Sequence, residues 1–193
     1  MKIKSYAFTK RKKLDINKKK KIRIDIDEDL FIKIIDEKVI SRNYINWLND
    51  YDTVKYTDQK HFKHSFKRVK NFILEKLKSK DDFLFGIFFK NEHIGNIKLG
   101  PINNFHKTSE VSYIIGNKNY WGKGIASKCL KEVIKYAFEK TDLEKITSGY
   151  HKLNKASGKV LEKNKFKIEG IRKKEKLFEG KRADYVEVGL IKE

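Results

Sequence analysis

The sequence predicts an α+β domain with a central, mostly antiparallel mixed sheet flanked by helices. Short apolar runs bounded by turn residues recur along the chain, as strands do. Longer segments lie between some of them, with apolar residues returning every third or fourth position, as on one helix face. Several strands come in adjacent pairs with brief turns, which favours antiparallel neighbours. With 193 residues, 39% of them hydrophobic and 12% aromatic, the chain can build one real core.

The elements follow in order. Residues 1–27 carry the lysine clusters KRKK (10–13) and KKKK (18–21). They are expected to form a basic arm or an added hairpin, apart from a main domain at 28–193. LFIKIID (30–36) reads as a strand. Ser41 is placed to cap a helix carrying Tyr44, Ile45, Trp47 and Leu48. Ser65 caps the next, with Phe66, Val69, Ile73 and Leu77 on one face. DFLFGIFF (82–89), KNEH and IGNIKLG (94–100) make a hairpin, and SEVSYIIG (109–116) is a further strand. A glycine loop follows at once. Beyond it Ile125, Cys129, Val133 and Ala137 recur every fourth residue, which predicts an amphipathic helix of about four turns. LEKITSGY (143–150) is a strand and SGKVLEKN (157–164) a short helix. FKIEGI (166–171) and YVEVGLI (185–191) are closing strands, with a turn at Glu179-Gly180.

Composition excludes several classes. No apolar run reaches the ~18 residues of a membrane span, so no membrane partner is expected. The start of the chain lacks the apolar centre of a secretory signal. The single cysteine, Cys129, cannot form an internal disulfide and fits a reducing cytoplasm, the expected location. No Cys/His cluster has metal-ligand spacing, so no metal is expected. The net charge of +20 invites a nucleic-acid reading. Only six of the 46 basic residues are arginine: Arg11, Arg23, Arg42, Arg68, Arg172 and Arg182. Arginine is the better tool for bidentate phosphate and base contacts. The lysines are spread along the whole chain, so a solvated basic surface is expected in place of a nucleic-acid site. Such a surface still attracts anionic substrates.

The stretch NYWGKGIASK (119–128) carries the chemistry. A glycine-rich turn running into a helix binds phosphate, because backbone N–H groups and the helix N-terminus favour negative charge. It is not a Walker loop, and a dinucleotide fingerprint would need a third glycine where Ser127 stands. The segment Trp121-Gly122-Lys123-Gly124-Ile125-Ala126 resembles the signature Q/R-x-x-G-x-G/A of the GNAT superfamily of acyl-CoA-dependent N-acetyltransferases. Trp121 replaces the leading Gln/Arg, the form found in the branch resembling ribosomal-protein-alanine acetyltransferases. NKASGKVLEKNKF (154–166) is similar to that branch's N-x-x-S-x-x-V-L-E-K-x-G-F. Lys165 stands where glycine is usual, and Asn164 is expected to take the left-handed helix end.

The resemblance covers 29–193 and implies the GNAT acyltransferase fold, with acetyl-CoA as co-substrate. The N–H groups of Gly122, Lys123, Gly124 and Ala126, with Trp121 and Ile125 between and beside them, would wrap its pyrophosphate. Lys123 and Ser127 can add side-chain donors. The pantetheine arm would add like a strand beside Tyr113, Ile114 and Ile115, and Asn154 would hydrogen-bond it. The implied reaction is direct attack of a primary amine on the thioester. The amine must lose a proton first, since a free alkylamine has a pKa of ~10. Glu110 lies where several such enzymes keep their base; His151 and His106 are further candidates, each with a plain structural role as the alternative. The resemblance implies Ser157 near the leaving sulfur. A tyrosine acid usual seven residues after Asn154 is absent, because Leu161 stands there. A backbone N–H near Ile114 could receive the developing oxyanion. Cys129 reads as core.

The acceptor side would come from 43–66 and 95–107. Their W-L-N-D, F-K-H-S and G-N-I-K-L-G-P-I-N look like GNAT proteins that modify amino sugars of bacterial surface polysaccharides. Trp47 could stack on a ring, with core packing as the alternative. Asn96, Lys98, Asn103 and His106 could meet hydroxyls or phosphates. The expected acceptor is an amino sugar, free or nucleotide-linked. The alternative is the N-terminus of a protein such as a ribosomal component. A further reading, a nucleic-acid or ribosome-binding module, would rest on the basic arm. The expected assembly is a monomer or a homodimer.

Overall fold

The structure is a computed structural model and describes residues 16–193. Chain order gives α1 (Ile16–Lys20), β1 (Arg23–Asp25), β2 (Leu30–Ile34), α2 (Arg42–Asn49), α3 (Tyr51–Val54), α4 (Phe66–Lys78), β3 (Phe83–Phe89), β4 (Glu92–Asn103) and β5 (Thr108–Ile115). Then come α5 (Ile125–Lys140), β6 (Lys145–His151), α6 (Lys155–Lys163), β7 (Lys167–Phe178) and β8 (Lys181–Ile191). The eight strands form one sheet in the order β1-β2-β3-β4-β5-β6-β8-β7. Every pair is antiparallel except β5 with β6.

Local chemistry sets the elements. Ser41 Oγ accepts from Tyr44 N at 3.1 Å, and Ser65 Oγ from Arg68 N at 3.3 Å, each filling an orphan donor at a helix start. The turn after β3 places Lys90 and Asn91 at φ 48° and 65°; the turn after β7 places Glu179 and Gly180 at 48° and 75°. Two central residues at positive φ give the turn whose twist matches a hairpin's strands. β7 and β8 run further toward that turn than the sequence pattern expects, to Phe178 and from Lys181.

Helices cover both faces of the sheet. On one face Phe85, Ile87, Ile97, Leu99 and Val111 pack with Cys129, Leu130, Val133 and Ala137 of α5. On the other, Phe31, Leu84 and Phe88 pack with Tyr44, Trp47, Val69 and Ile73. β3 is buried on both sides, so FLFGIFF reads as a continuous apolar run. Each such side chain contributes about 1.5–3 kcal/mol on burial.

The sheet begins before residue 28. Arg23–Asp25 pairs with Phe31–Lys33, so this part of the segment 1–27 is a sheet edge. Lys19 is almost wholly buried, its ammonium donating to the carbonyls of Lys76, Ser79 and Asp82 at the end of α4. The rest of that arm lies outside the described residues.

Candidate active site

The parallel pair β5–β6 creates the site. Its register runs Thr108↔Lys145, Ser109↔Ile146, Glu110↔Thr147, and stops there. β5 continues to Ile115 along β4, and β6 continues to His151 along β8. The two strands therefore part beyond Glu110 and open a split in the middle of the sheet. Among the described residues no strand pairs with Val111–Ile115 on the split side; the Val111 carbonyl accepts from Ser148 Oγ at 2.8 Å and the Ile115 carbonyl from Trp121 Nε1, so an extended amide chain can pair near Tyr113.

Side chains alternate across the split. Val111, Tyr113 and Ile115 face α5 and join its core. Glu110, Ser112 and Ile114 face the other way, and Ile114 packs in the cluster of Trp47. On β6, Thr147 and His151 share the face of Glu110, and Tyr150 that of Tyr113.

The glycine loop lies at the end of β5 on the α5 side. Gly122 and Gly124 both stand at φ 74°, a left-handed conformation that costs an L side chain about 1–2 kcal/mol. A Cβ at either would meet nothing within 4 Å. The glycines thus serve the turn and leave open space before the amides. Gly124 is the N-cap of α5 and offers no side-chain cap, so the first N–H groups of the helix stay free for an anion. Trp121 is partly exposed, and its Nε1 donates to Ile115 O at 2.8 Å, tying the loop to β5. Lys123 is exposed, its ammonium 5.4 Å from the Tyr120 ring centre. Ile125 is buried in the core, and Ala126 is half-buried beside it. Ser127 Oγ accepts from Asn164 Nδ2 at 3.1 Å and keeps its own proton for donation.

α6 brings the second motif to the split. Asn154 Oδ1 accepts from Ser157 N at 3.1 Å, so Asn154 caps this helix. Ser157 faces Tyr113, whose Oη lies 2.9 Å from Ser157 Oγ and 3.0 Å from Ser157 O. Burial pushes the Tyr113 phenol up to about 12. Leu161 is core. The left-handed residue after α6 is Lys165, at φ 66°; Asn164 stands at φ −95°. Asn164 instead spends its amide on Ser127 and Val160, which locks α6 to α5.

The other face holds a second cleft at the end of β6, about 210 Å³ in volume. The Tyr56 ring lies 5.1 Å from Phe178 and 5.4 Å from His151. Lys60, His61, Lys176 and Arg182 line it, against Asp58 and Glu175. His151 Nδ1 accepts from Leu153 N at 3.3 Å, which puts the ring proton on Nε2. Burial, with the charges of Lys60 and Lys176, lowers the His151 pKa and keeps the ring neutral. Tyr185, opposite His151 on β8, has its phenol raised by burial and by the charge of Glu110. Glu110 is exposed on this face, at the point where the split begins.

Several expected acceptor contacts lie elsewhere. Trp47 is buried and stacks on Tyr44 at 4.6 Å. A Cβ on Gly116 would sit 1.8 Å from the Trp47 ring, so that ring props the end of β5 from below. Asn96 is also buried: its Nδ2 donates to Tyr44 Oη and its Oδ1 meets His93 Nε2, each at 2.8 Å. Burial lowers His93 to about 4. These two positions pack the core in place of the expected substrate contact. Asn103 and His106 lie at the turn before β5, with Asn103 Oδ1 accepting from His106 N. That turn is about 25 Å from the glycine loop, the length of an eight-residue strand. Lys98 is half-buried opposite Ser112, on the Glu110 face. Cys129 is fully buried, and burial pushes its thiol up to about 12, so it is core and no nucleophile. Of the cleft residues, Tyr56 and Lys60 fall within the expected segment 43–66, whereas Lys176 and Arg182 carry no sequence signal, because the two segments meet only in the fold.

A split parallel pair, a glycine loop with free amides and a capped helix at the split define an acyl-CoA-dependent acyltransferase scaffold. The family model described as Acetyltransferase (GNAT) domain matches residues 24–167, and the chain belongs to this family. It is 34% identical over 103 residues to the probable N-acetyltransferase YjcK of Bacillus subtilis (strain 168), covering 52% of this chain and 56% of that one. It is 29% identical over 102 residues to the N-acetyltransferase p20 of Bacillus licheniformis, covering 53% and 57%. The chain spans about half the length of the curated relatives it matches. Among solved structures it is similar to RimL, a ribosomal L7/L12 alpha-N-protein acetyltransferase in complex with coenzyme A. The TM-score there is 0.79 with 19% identity, over 88% of this chain and 98% of the other. It is also similar to the microcin C7 self-immunity acetyltransferase MccE in complex with acetyl-CoA and AMP, with TM-score 0.76 and 17% identity over 86% and 94%. These likenesses show the fold. Among the described residues no helix is long and apolar enough to cross a membrane, and no His/Cys/Asp/Glu group is arranged to hold a metal ion.

Proposed function

We propose that this chain transfers the acetyl group of acetyl-CoA to the primary amine of an amino sugar, carried on a nucleotide diphosphate. The free amides of Gly122–Ala126 suit the pyrophosphate of the co-substrate, and the open edge of Tyr113–Ile115 suits its amide arm. The thioester would then lie at the split, with the acceptor approaching from the Glu110 face. Glu110 takes the proton of the attacking amine, directly or through a water. A β5 amide near Ile114 receives the oxyanion, and the Ser157 hydroxyl faces the departing sulfur. The C–N bond forms as the carbonyl π pair moves onto oxygen, and the C–S bond breaks as that pair returns, leaving its electrons on sulfur.

The observation that carries the acceptor class is the cleft beside His151. Lys60, Lys176 and Arg182 suit a diphosphate, while Tyr56, backed by Phe178, lines the cleft with an aromatic ring. Acetyl-CoA-dependent thiol release tests this, screened over nucleotide-linked amino sugars, the same sugars without the nucleotide, and ribosomal N-terminal peptides. Turnover is expected with the nucleotide-linked sugars and is expected to weaken when the nucleotide is removed. Turnover confined to peptides would replace this acceptor with a protein N-terminus.

A further inference from the structure

Tyr113 and Ser157 meet across the split from elements 44 residues apart, β5 and α6. The phenol oxygen touches both oxygens of one residue, at 2.9 and 3.0 Å. A phenol has one proton. Donated to the Ser157 carbonyl, it leaves the serine hydroxyl to donate back to the phenol. Turned onto Ser157 Oγ, it frees the serine proton to point into the split. The two arrangements differ only by rotation about two C–O bonds.

We propose that Tyr113 is a positioning residue for the leaving thiolate, holding Ser157 Oγ at the split and donating to it when the serine proton turns to sulfur. This rests on the acetyl-transfer reading above. As the C–S bond breaks, its electron pair stays on sulfur. Ser157 donates its hydrogen bond there, and Tyr113 swings its own from the Ser157 carbonyl to Ser157 Oγ. Neither hydroxyl loses its proton. The proton that finally neutralises the thiolate is the one lost by the amine. Burial keeps the phenol protonated far above neutral pH, so it remains a donor throughout. The pair does without a phenol at position 161, where Leu161 is fully enclosed in the core.

The test uses the full chain and coenzyme A itself. The thiol of bound coenzyme A is titrated by the ultraviolet absorbance of its thiolate, in the parent chain and in Tyr113→Phe, Ser157→Ala and the double variant. The bound thiol is expected to ionise at lower pH in the parent than in either single variant, with the double variant no worse than Ser157→Ala. In turnover, Tyr113→Phe is expected to lower kcat about tenfold while the acetyl-CoA KM stays within about twofold, the pattern of a contact made only as the bond breaks. An unchanged thiol titration in Tyr113→Phe overturns the inference and leaves acetyl transfer standing. Losses that multiply in the double variant also overturn it, because Tyr113 would then act apart from Ser157. Failure of coenzyme A to bind at all removes the acetyl-transfer reading and this inference with it.

Discussion

Lys118 grips Asp50 across 68 residues of chain, its ammonium 2.9 Å from the carboxylate. The same ammonium lies 3.2 Å from Asp52. Lys118 opens the turn before the glycine loop, whereas Asp50 caps α3 through Thr53 N, so one cation joins that turn to α3. The Lys118 hydrogen bond is the main cause holding the Asp50 carboxyl below its usual range. A depressed carboxyl stabilises the fold above the ordinary carboxylate range and loses that contribution as pH falls through it. The groups are exposed, so Lys118→Met is expected to move Tm at pH 7 by less than about 2 °C. Its larger effect is expected on the acceptor KM, because α3 leads directly to Tyr56. An unchanged acceptor KM would show that the bridge does not set the cleft.

Glu110 stands where β5 and β6 part, on the face shared with Thr147 and His151. If it takes the amine proton, Glu110→Gln should lower kcat by about 10²–10⁴ while acetyl-CoA binding holds. The deficit should shrink as pH rises through the pKa of the acceptor amine itself, because solvent then deprotonates the nucleophile. Rate profiles from neutral to alkaline pH check this. A deficit constant across pH would assign Glu110 to binding instead.

The scaffold was legible because its signals are local. Ser41 and Ser65 cap the helices their spacing predicts, and Ile125, Cys129, Val133 and Ala137 lie buried on one face of α5. W-G-K-G marked the loop, since two glycines one residue apart already imply unusual backbone angles. The cleft at the end of β6 was only partly legible. Trp47 and Asn96 have the chemistry of ligand contacts, yet Gly116 and Tyr44 claim them for the core. Nothing near Tyr56 or Phe178 in sequence shows that they will meet His151, because a hairpin and a loop bring them together. Asn164 misled for a physical reason. An asparagine suits the left-handed position, but here its amide is committed to Ser127 and Val160, and the next residue takes the turn.

Lys165 carries that turn at φ 66° without glycine's freedom. A left-handed L residue costs about 1–2 kcal/mol. Among the described residues its ammonium meets Glu193 alone, at 3.7 Å and both exposed, so little is lost with the side chain. Lys165→Gly is therefore expected to stabilise the chain by about 1 kcal/mol, less the entropy glycine adds to the unfolded state. Thermal unfolding should rise by about 2–4 °C with acetyl-CoA affinity unchanged. A lower Tm would mean that the unfolded-state cost outweighs the relieved strain.

Lys19 gives the fold an unusual pH response. Its ammonium is enclosed at the end of α4, donating to the carbonyls of Lys76 and Ser79 at 2.8 and 2.7 Å. Burial lowers its pKa from 10.5 to about 8, against the opposing pull of Asp82. Between those values the unfolded chain holds more protons than the folded one at this position. The sign follows from linkage: stability from this residue rises with pH across that window. Lys19→Met removes the titration along with the hydrogen bonds to the helix end. The variant is expected to be less stable at pH 7, through carbonyls left unpaired in the interior. The parent-minus-variant difference in stability should change between pH 8 and 10.5 in the direction of a more stable parent, provided the neutral amine keeps its hydrogen bonds. Denaturant unfolding of both chains at those two pH values measures it. A difference that stays constant would mean that Lys19 keeps its ordinary pKa and reaches solvent in the folded state.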